Sequence, residues 1–118
     1  MIMIFAKTFY DAYDMRESII YPNCFDIFNY WPSLCIRKHG STTLEIGLKV
    51  IAGLGEKCFL IDRYGFCVTN FIEVENMEVG DDKPIMVKMT NRSNRDIFIP
   101  RGEILCQIMV LGIDMVGR

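Results

Sequence analysis

The sequence predicts an all-β fold of the sandwich, barrel or jelly-roll kind. Apolar and polar residues alternate along Leu44–Val50 and Ile85–Thr90, as expected of strands with one buried face. Lys57–Asp62, Phe66–Val74 and Ile104–Leu111 are more continuously apolar, so we expect strands that are buried on both faces or lie at a subunit contact. Turn residues separate these runs at intervals of about 8–12 residues, which is typical of such folds.

The remaining elements are less regular. A helix is expected at Lys7–Glu17, because Phe9 and Tyr13 are spaced to share a helical face. The stretch Phe25–Trp31 is rich in aromatic residues, which suit either a core or an interface. Turn sequences occur at Tyr21–Asn23, His39–Ser41, Gly53–Gly55, Arg63–Gly65, Gly80–Asp82, Asn91–Asn94 and Pro100–Gly102.

Length and composition indicate one domain spanning residues 1–118. Of the 118 residues, 51% are hydrophobic, which excludes disorder. The formal net charge of −2 argues against binding to nucleic acid or to a membrane surface, since both favour a basic field. The mean hydropathy of +0.21 is high for a small monomer. Either an oligomer interface or a core filled by the eight Met and eight Phe residues accounts for it.

No transmembrane segment or secretory signal is expected. The charge-free run Ile104–Ile113 is shorter than the ~20 residues that a bilayer requires, and MIMIFAK has no basic region before its apolar residues. The five cysteines are an odd number, and none forms a Cys-x-x-Cys pair. We therefore expect free thiols in a reducing, intracellular compartment and, with a single His, no zinc site.

The side chains best suited to binding or catalysis are several carboxylates and one amide. Asp11 and Asp14 lie in D-A-Y-D-M, and Glu73–Lys83 is strongly acidic. Carboxylate clusters can hold Mg²⁺ beside a phosphate substrate, although a solvated acidic loop has the same composition. Gln107 interrupts an apolar strand, so it either caps a backbone group in the core or faces a site. His39 lies in a turn without a nucleophile motif and is interpreted as a solvated turn residue.

Three segments resemble motifs of the trimeric dUTPase family. DAYDM is similar to the first motif, A-G-x-D-L, without its glycine, and TLEIGLKV is similar to the strand that contains T-G-L. MVKMTNRSNRDIFIPRGEILCQIMV is similar to V-x-V-x-N-x-S…F-x-I-x-x-G-D-x-I-A-Q-L-I. The matching residues there are Asn91, Ser93, Phe98, Ile99, Gly102, Ile104 and Gln107. The resemblance implies a dUTPase-like distorted jelly-roll β-barrel or sandwich in a homotrimer, with active sites between subunits.

The resemblance also assigns roles to individual residues. Asp14 and Gln107 match positions that hold hydrated Mg²⁺ beside the phosphates. Arg63 and Gly65 match the phosphate-binding R-S-G motif, but Tyr64 replaces its serine. Glu78 aligns near the aspartate that orients the attacking water, and it is one methylene longer than that aspartate.

Two further family features are missing. The third motif, G-x-I-D-x-x-Y-x-G, is replaced by N-M-E-V-G-D-D-K-P, in which Asp81 stands near the position of the stacking tyrosine. We also expect no counterpart of the family's glycine-rich C-terminal arm. Because the attacking water must be placed within about half an ångström, these losses together argue against efficient hydrolysis.

Three hypotheses follow. The favoured one is a catalytically degenerate relative, resembling those that DNA viruses encode, with no cofactor and no catalytic residue. It would act as a regulatory module that binds itself and a host or viral protein, through Glu73–Lys83 or Phe25–Trp31. The second is an active, Mg²⁺-dependent dUTP diphosphatase with Asp14, Glu78 and Gln107 around the metal and water. The third is a nucleotide-binding protein without chemistry, in which Arg63, Gly65 and Gln107 contact the nucleotide.

Overall fold

The computed structural model describes residues 4–51, 53, 55–80 and 82–112 of the chain. Asp81 and the region after residue 112, where the family's arm would begin, lie outside the described residues. The single helix of the described part is α1 (Phe66–Thr69). The strands are β1 (Ile4–Lys7), β2 (Arg16–Glu17), β3 (Cys24–Phe28), β4 (Leu34–Ile36), β5 (Ser41–Ile51), β6 (Glu56–Ile61), β7 (Ile72–Val74), β8 (Met77–Val79), β9 (Pro84–Asn91), β10 (Ile97–Ile99) and β11 (Ile104–Gly112). The predicted all-β fold class is confirmed.

The strands form three antiparallel sheets. The first sheet has the order β1-β5-β9-β7, and the second has the order β2-β3-β11-β6-β8. A small third sheet contains only β10 and β4. Because β11 lies between β3 and β6, segments from both halves of the chain meet at the centre of the second sheet.

One hydrophobic cluster contains inward-facing residues of both large sheets. In β9 the side chains alternate between exposed and buried, as the period of two predicts. All five cysteines are free, and four of them are buried. Burial raises the pKa of the Cys58 thiol to about 11 and that of the Cys67 thiol to about 12.

The helix expected at Lys7–Glu17 is wrong. Lys7 ends β1, and in the following turn Thr8 and Phe9 donate their backbone N–H groups to the carbonyl oxygen of Gly47 at 2.7 and 3.2 Å. Gly47 has a φ of +81°, and a Cβ there would lie 2.6 Å from Phe9 Cδ2. The aromatic spacing therefore reflects packing of this turn on β5 and not a helical face.

The apolar run Phe66–Val74 is not a single strand. It forms α1 and then β7, separated by Asn70 and Phe71. A short apolar run does not distinguish a buried strand from a buried helical turn. No helix in the described part of the chain is long and apolar enough to cross a membrane.

Candidate functional site

Gln107 lies at the centre of the second sheet and is fully buried. In β11 it pairs with Asp26 of β3 on one side and with Ile61 of β6 on the other. Its Nε2 donates hydrogen bonds to Asp26 Oδ1 and to the hydroxyl oxygen of Ser18, both at 3.0 Å. Its Oε1 is buried and receives no hydrogen bond from the described residues. The amide therefore acts as a donor to its own chain and keeps one unused acceptor.

Asp26 is the charged member of this buried cluster. It is 2% exposed, and its Oδ2 accepts a hydrogen bond from Arg16 at 3.0 Å. A buried carboxylate requires such partners, so Arg16 and Gln107 both stabilise its charge. Asp26 was not identifiable as a site residue from the sequence, because it lies within an aromatic stretch that suits a core or an interface. No local pattern connects it to Gln107, which is 81 residues away.

Arg63 is brought to the same face of the sheet. Side chains two residues apart on a strand share a face, so Cys24 lies on the side of β3 that carries Asp26. Arg63, two residues beyond Ile61, donates a hydrogen bond to Cys24 Sγ at 2.8 Å. Its guanidinium carbon also stacks 3.8 Å from the centre of the Tyr21 ring, within the range of a strong cation–π contact. Arg63 is thus held by its own chain on two sides.

Gly65 and Tyr64 follow Arg63 and line an open cleft of about 310 Å³. Gly65 has a φ of +126°, and a Cβ there would lie 2.5 Å from the carbonyl oxygen of Ile104. The glycine is therefore required for close packing against β11, whether or not a phosphate binds. The Tyr64 ring lies 6.3 Å from the ring of Tyr21, edge to face, so it belongs to the aromatic group around Arg63.

The structure places the two aspartates of the first motif at the surface. Asp14 is exposed and forms an ion pair with Lys7 at 3.5 Å. Asp11 accepts a hydrogen bond from the Tyr30 hydroxyl at 2.6 Å and lies 3.7 Å from Arg101. The hydrogen bond from Tyr30 is the main cause that lowers the pKa of Asp11. Neither aspartate is in contact with Gln107.

Glu78 lies on β8, at the edge of the second sheet, and is exposed. It pairs with Phe59, while Gln107 pairs with Ile61. Two strand spacings of about 4.8 Å and two residues of about 3.3 Å separate Glu78 from Gln107, so their backbones are about 12 Å apart within one chain. Glu78 also lines a cleft of about 520 Å³. The structure therefore does not bring these two residues together within a single subunit.

The described residues do not assemble the Mg²⁺ site that the family resemblance implies. No group of three or more His, Cys, Asp or Glu side chains in the described ranges is arranged to hold a metal ion. Asp14 is paired with a lysine, and Gln107 offers only one buried oxygen. Mg²⁺ prefers an octahedral shell of oxygen ligands and waters. No step of the function proposed below depends on a metal ion.

The two segments singled out as interaction surfaces are mostly engaged within the chain. In the acidic segment, ion pairs join Glu73 to Arg92, Glu75 to Lys88 and Asp82 to Lys49. In the aromatic stretch, the rings of residues 30 and 31 pack on that of residue 9, with centroids 4.9 and 5.9 Å apart. The aromatic residues therefore fill space beside the first-motif turn.

Neither a protein-family model nor a curated protein sequence matches the chain. Solved structures do match its backbone. A mutant dUTPase of Staphylococcus bacteriophage 80alpha with dUpNHpp superposes with a TM-score of 0.82 at 12% identity, covering 94% of this chain and 82% of that chain. A mutant dUTPase of phage phi11 of S. aureus, described for its coordination of a structural Mg(II) ion, gives a TM-score of 0.81 at 12% identity, covering 94% and 90%.

A further structure of the 80alpha dUTPase gives a TM-score of 0.81 at 12% identity, covering 94% of this chain and 90% of that chain. The description of that structure states that phage dUTPases control transfer of virulence genes by a proto-oncogenic G protein-like mechanism. At this identity the likeness concerns the fold and not the chemistry. The described strands, their order and the superposition agree, and the chain has a dUTPase-like fold.

Proposed function

We propose that the chain is a catalytically degenerate dUTPase-fold protein of viral origin that acts as a regulatory or protein-interaction module. The observation that carries this proposal is the engagement of Arg63 and Gln107. Both match binding positions of the family, and both are held by residues of the same chain. Arg63 is bound by Cys24 and Tyr21, and Gln107 is bound by Asp26 and Ser18.

A phosphate at Arg63 would compete with the internal contacts of its guanidinium group. Nη2 donates a hydrogen bond to Cys24 Sγ and the planar face lies on the Tyr21 ring, so fewer donors and fewer orientations are open to phosphate oxygens. This partial engagement reduces the net affinity for a phosphate. In addition, Tyr64 stands where the family's motif has a serine hydroxyl, so that phosphate donor is absent.

The position aligned with the water-orienting aspartate supports the same proposal. Glu78 is an exposed residue of a three-residue edge strand, and neither a hydrogen bond nor an ion pair to a described residue fixes its carboxylate. A catalytic carboxylate must be held within about half an ångström of its working position. Glu78 has the extra methylene and lacks the supporting contacts, so it is a poor base.

The homotrimer is part of the proposal. The outer face of the second sheet carries partly exposed apolar side chains on β6 and β11, among them Phe59, Ile61, Met109 and Leu111. Exposed apolar groups of this kind are typical of subunit contacts. We expect native mass spectrometry to give three times the chain mass of 13.7 kDa. A mass of 13.7 kDa at micromolar concentration would contradict the trimer.

The regulatory role is supported by the neighbours in structure and not by any residue. The phage dUTPases that match the fold are described as controlling transfer of virulence genes. A fold that is kept while its binding residues are engaged internally suits a protein that works by contact with others. The partner proposed is therefore a host or viral protein.

One observation favours a second function, the binding of a nucleotide without hydrolysis. The cleft of about 310 Å³ is lined by Arg63 and Gly65, two positions that match the family's phosphate motif. In this case a nucleotide would bind the N–H donors of Arg63 that Cys24 does not accept. Arg63→Ala should then weaken nucleotide binding, whereas a flat titration with the common deoxynucleotides would remove this function.

The experiment that tests the main proposal is pyrophosphate release from dUTP with Mg²⁺ and micromolar protein. A genuine dUTPase serves as the positive control, and circular dichroism verifies that the chain is folded. We expect no release above background. Release that disappears in Glu78→Ala would establish the active enzyme and overturn the proposal.

A further inference from the structure

Two turns that are far apart in the sequence meet at one end of the first sheet. Residues 37–40 connect β4 to β5, and residues 92–96 connect β9 to β10. The buried side chain of Asn91 joins them, because its Nδ2 donates to the carbonyl oxygens of Ile36 and Arg95 at 2.9 and 2.8 Å. The backbone N–H of Lys38 also donates to Asp96 Oδ1 at 2.9 Å. We call these nine residues the basic end.

The basic end has a charge opposite to that of the rest of the chain. Its side chains include four cations and one carboxylate, a net +3, so the remaining residues carry −5 of the total of −2. Arg92 is paired with Glu73. The side chains of Arg37, Lys38 and Arg95 are exposed and form no ion pair with any described residue. Three cations are therefore available to an acidic ligand.

Exposed aromatic residues flank these cations. Phe98 of β10 is 54% exposed and stands opposite Cys35 of β4, which precedes Arg37 by two residues. On the other side, Phe71 is 72% exposed, and its carbonyl oxygen accepts a hydrogen bond from the backbone N–H of Arg92 at 2.9 Å. Cations beside exposed aromatic rings are the composition of a protein-binding surface.

Phe71 is also strained. Its φ is +60°, in the left-handed region that a bulky residue rarely adopts. It follows the C-cap residue Asn70 of α1, a position that glycine usually occupies at no steric cost. Here Phe71 adopts the strained backbone conformation, and most of its side chain is exposed. Folding alone does not explain this choice, and strained residues cluster at functional sites.

We infer that the basic end, with Phe71 and Phe98, is the docking surface for an acidic segment of a partner protein that also carries an apolar side chain. This inference rests on the proposed function and specifies its surface. Charge complementarity favours a short acidic segment over nucleic acid. A long polyanion would extend beyond the +3 end toward the rest of the chain, whose residues sum to −5, and would be repelled there.

The test uses the full chain and a displayed library of random twelve-residue peptides. We expect enrichment of acidic peptides that contain an aromatic or aliphatic residue, with affinity that falls as salt rises. Arg37→Glu/Arg95→Glu should weaken the binding of a selected peptide at least tenfold. The matched control, Lys57→Glu/Lys83→Glu, makes the same change of charge near the start of β9. This position lies about 23 Å along that strand from the basic end. The control should weaken the binding of the same peptide less than twofold.

A second variant separates docking from folding. Phe71→Gly should weaken peptide binding at least fivefold while leaving the melting temperature equal or higher, because glycine relieves the strain. The inference is overturned if the enriched peptides are not acidic, if binding survives the Arg37 and Arg95 reversal, or if a twenty-nucleotide thymidine strand binds more tightly than the peptides. Hydrolysis of dUTP by the same preparation is a separate readout. It would remove the proposed function, whereas peptides that bind elsewhere would remove only this surface.

Discussion

Replacing Gly65 with alanine tests whether packing accounts for a glycine at this position, which resembles one in the family's phosphate motif. The φ of Gly65 is +126°, which an alanine adopts only with strain of about 1–3 kcal/mol. The added Cβ would also lie 2.5 Å from the carbonyl oxygen of Ile104 and 3.0 Å from that of Leu105. Both are backbone atoms of β11 and cannot rotate away, so overpacking adds about 1–3 kcal/mol. The expected loss in the free energy of unfolding is therefore about 2–6 kcal/mol.

The assay is urea unfolding followed by circular dichroism. With an m-value of about 2 kcal/mol/M for a domain of this size, the loss lowers the midpoint by about 2 M. Gly80→Ala is the matched control. Gly80 also has a positive φ, +139°, but a Cβ there would meet only the Val50 carbonyl oxygen, at 3.9 Å, among the described residues. It should lose the strain energy alone, about 1–3 kcal/mol.

Two results would refute this reasoning. If Gly65→Ala loses less than about 1 kcal/mol, the contact with β11 does not require a glycine. If both variants lose the same free energy, backbone conformation alone explains the requirement and the close approach adds nothing. In the first case, Gly65 would need a functional explanation, and the nucleotide-binding alternative would gain support.

Four further predictions concern other parts of the fold. Asn91→Ala removes the buried donor of the Ile36 carbonyl oxygen and one of the two donors of the Arg95 carbonyl oxygen, and it should lower the free energy of unfolding by about 1–3 kcal/mol in urea titrations; a loss under about 1 kcal/mol would contradict its joining role. Asp26→Ala deprives the buried amide beside it of an acceptor and should lose about 1–3 kcal/mol, measured in the same way, with an unchanged midpoint as the contrary result. Tyr30→Phe removes the hydrogen bond that lowers the pKa of Asp11, so an NMR titration should show that pKa rising toward 3.8. Because the native pKa is lowered, this bond stabilises the fold above pH 3.8, and the advantage of wild type over the variant should disappear as the pH falls through the native pKa. Finally, iodoacetamide should modify only Cys35 in the native state, since the other four thiols are buried, and mass spectrometry that detects more than one adduct per chain would contradict this.

The strands were predictable from the sequence because their signal is local. The period of two along β9 places every second side chain in the core, and the turn residues mark where the strands end. The first-motif segment was not predictable, because Phe9 is positioned by Gly47, on a strand nearly forty residues later. The helical turn α1 was missed because a segment of four residues is too short to show a period that distinguishes a helix from a strand.

The candidate site shows the same division. Gln107 was recognisable as an unusual polar residue in an apolar strand, and both interpretations, core or site, were open. Its partner Asp26 was not recognisable, because the contact joins residues 81 positions apart. Likewise, nothing local to Arg63 indicates that Cys24 and Tyr21 hold its guanidinium group. Gln107 and Arg63 were therefore accessible from the sequence, while Asp26 and the contacts that hold these side chains required the fold.

The central claim is that this dUTPase-like fold does not carry dUTP hydrolysis. Single-turnover pyrophosphate release tests it most directly, with folded protein in excess over dUTP, Mg²⁺ present, and a genuine dUTPase measured in parallel. We expect a time course that matches the protein-free blank. A burst of pyrophosphate that depends on the protein and disappears in Glu78→Ala would contradict it.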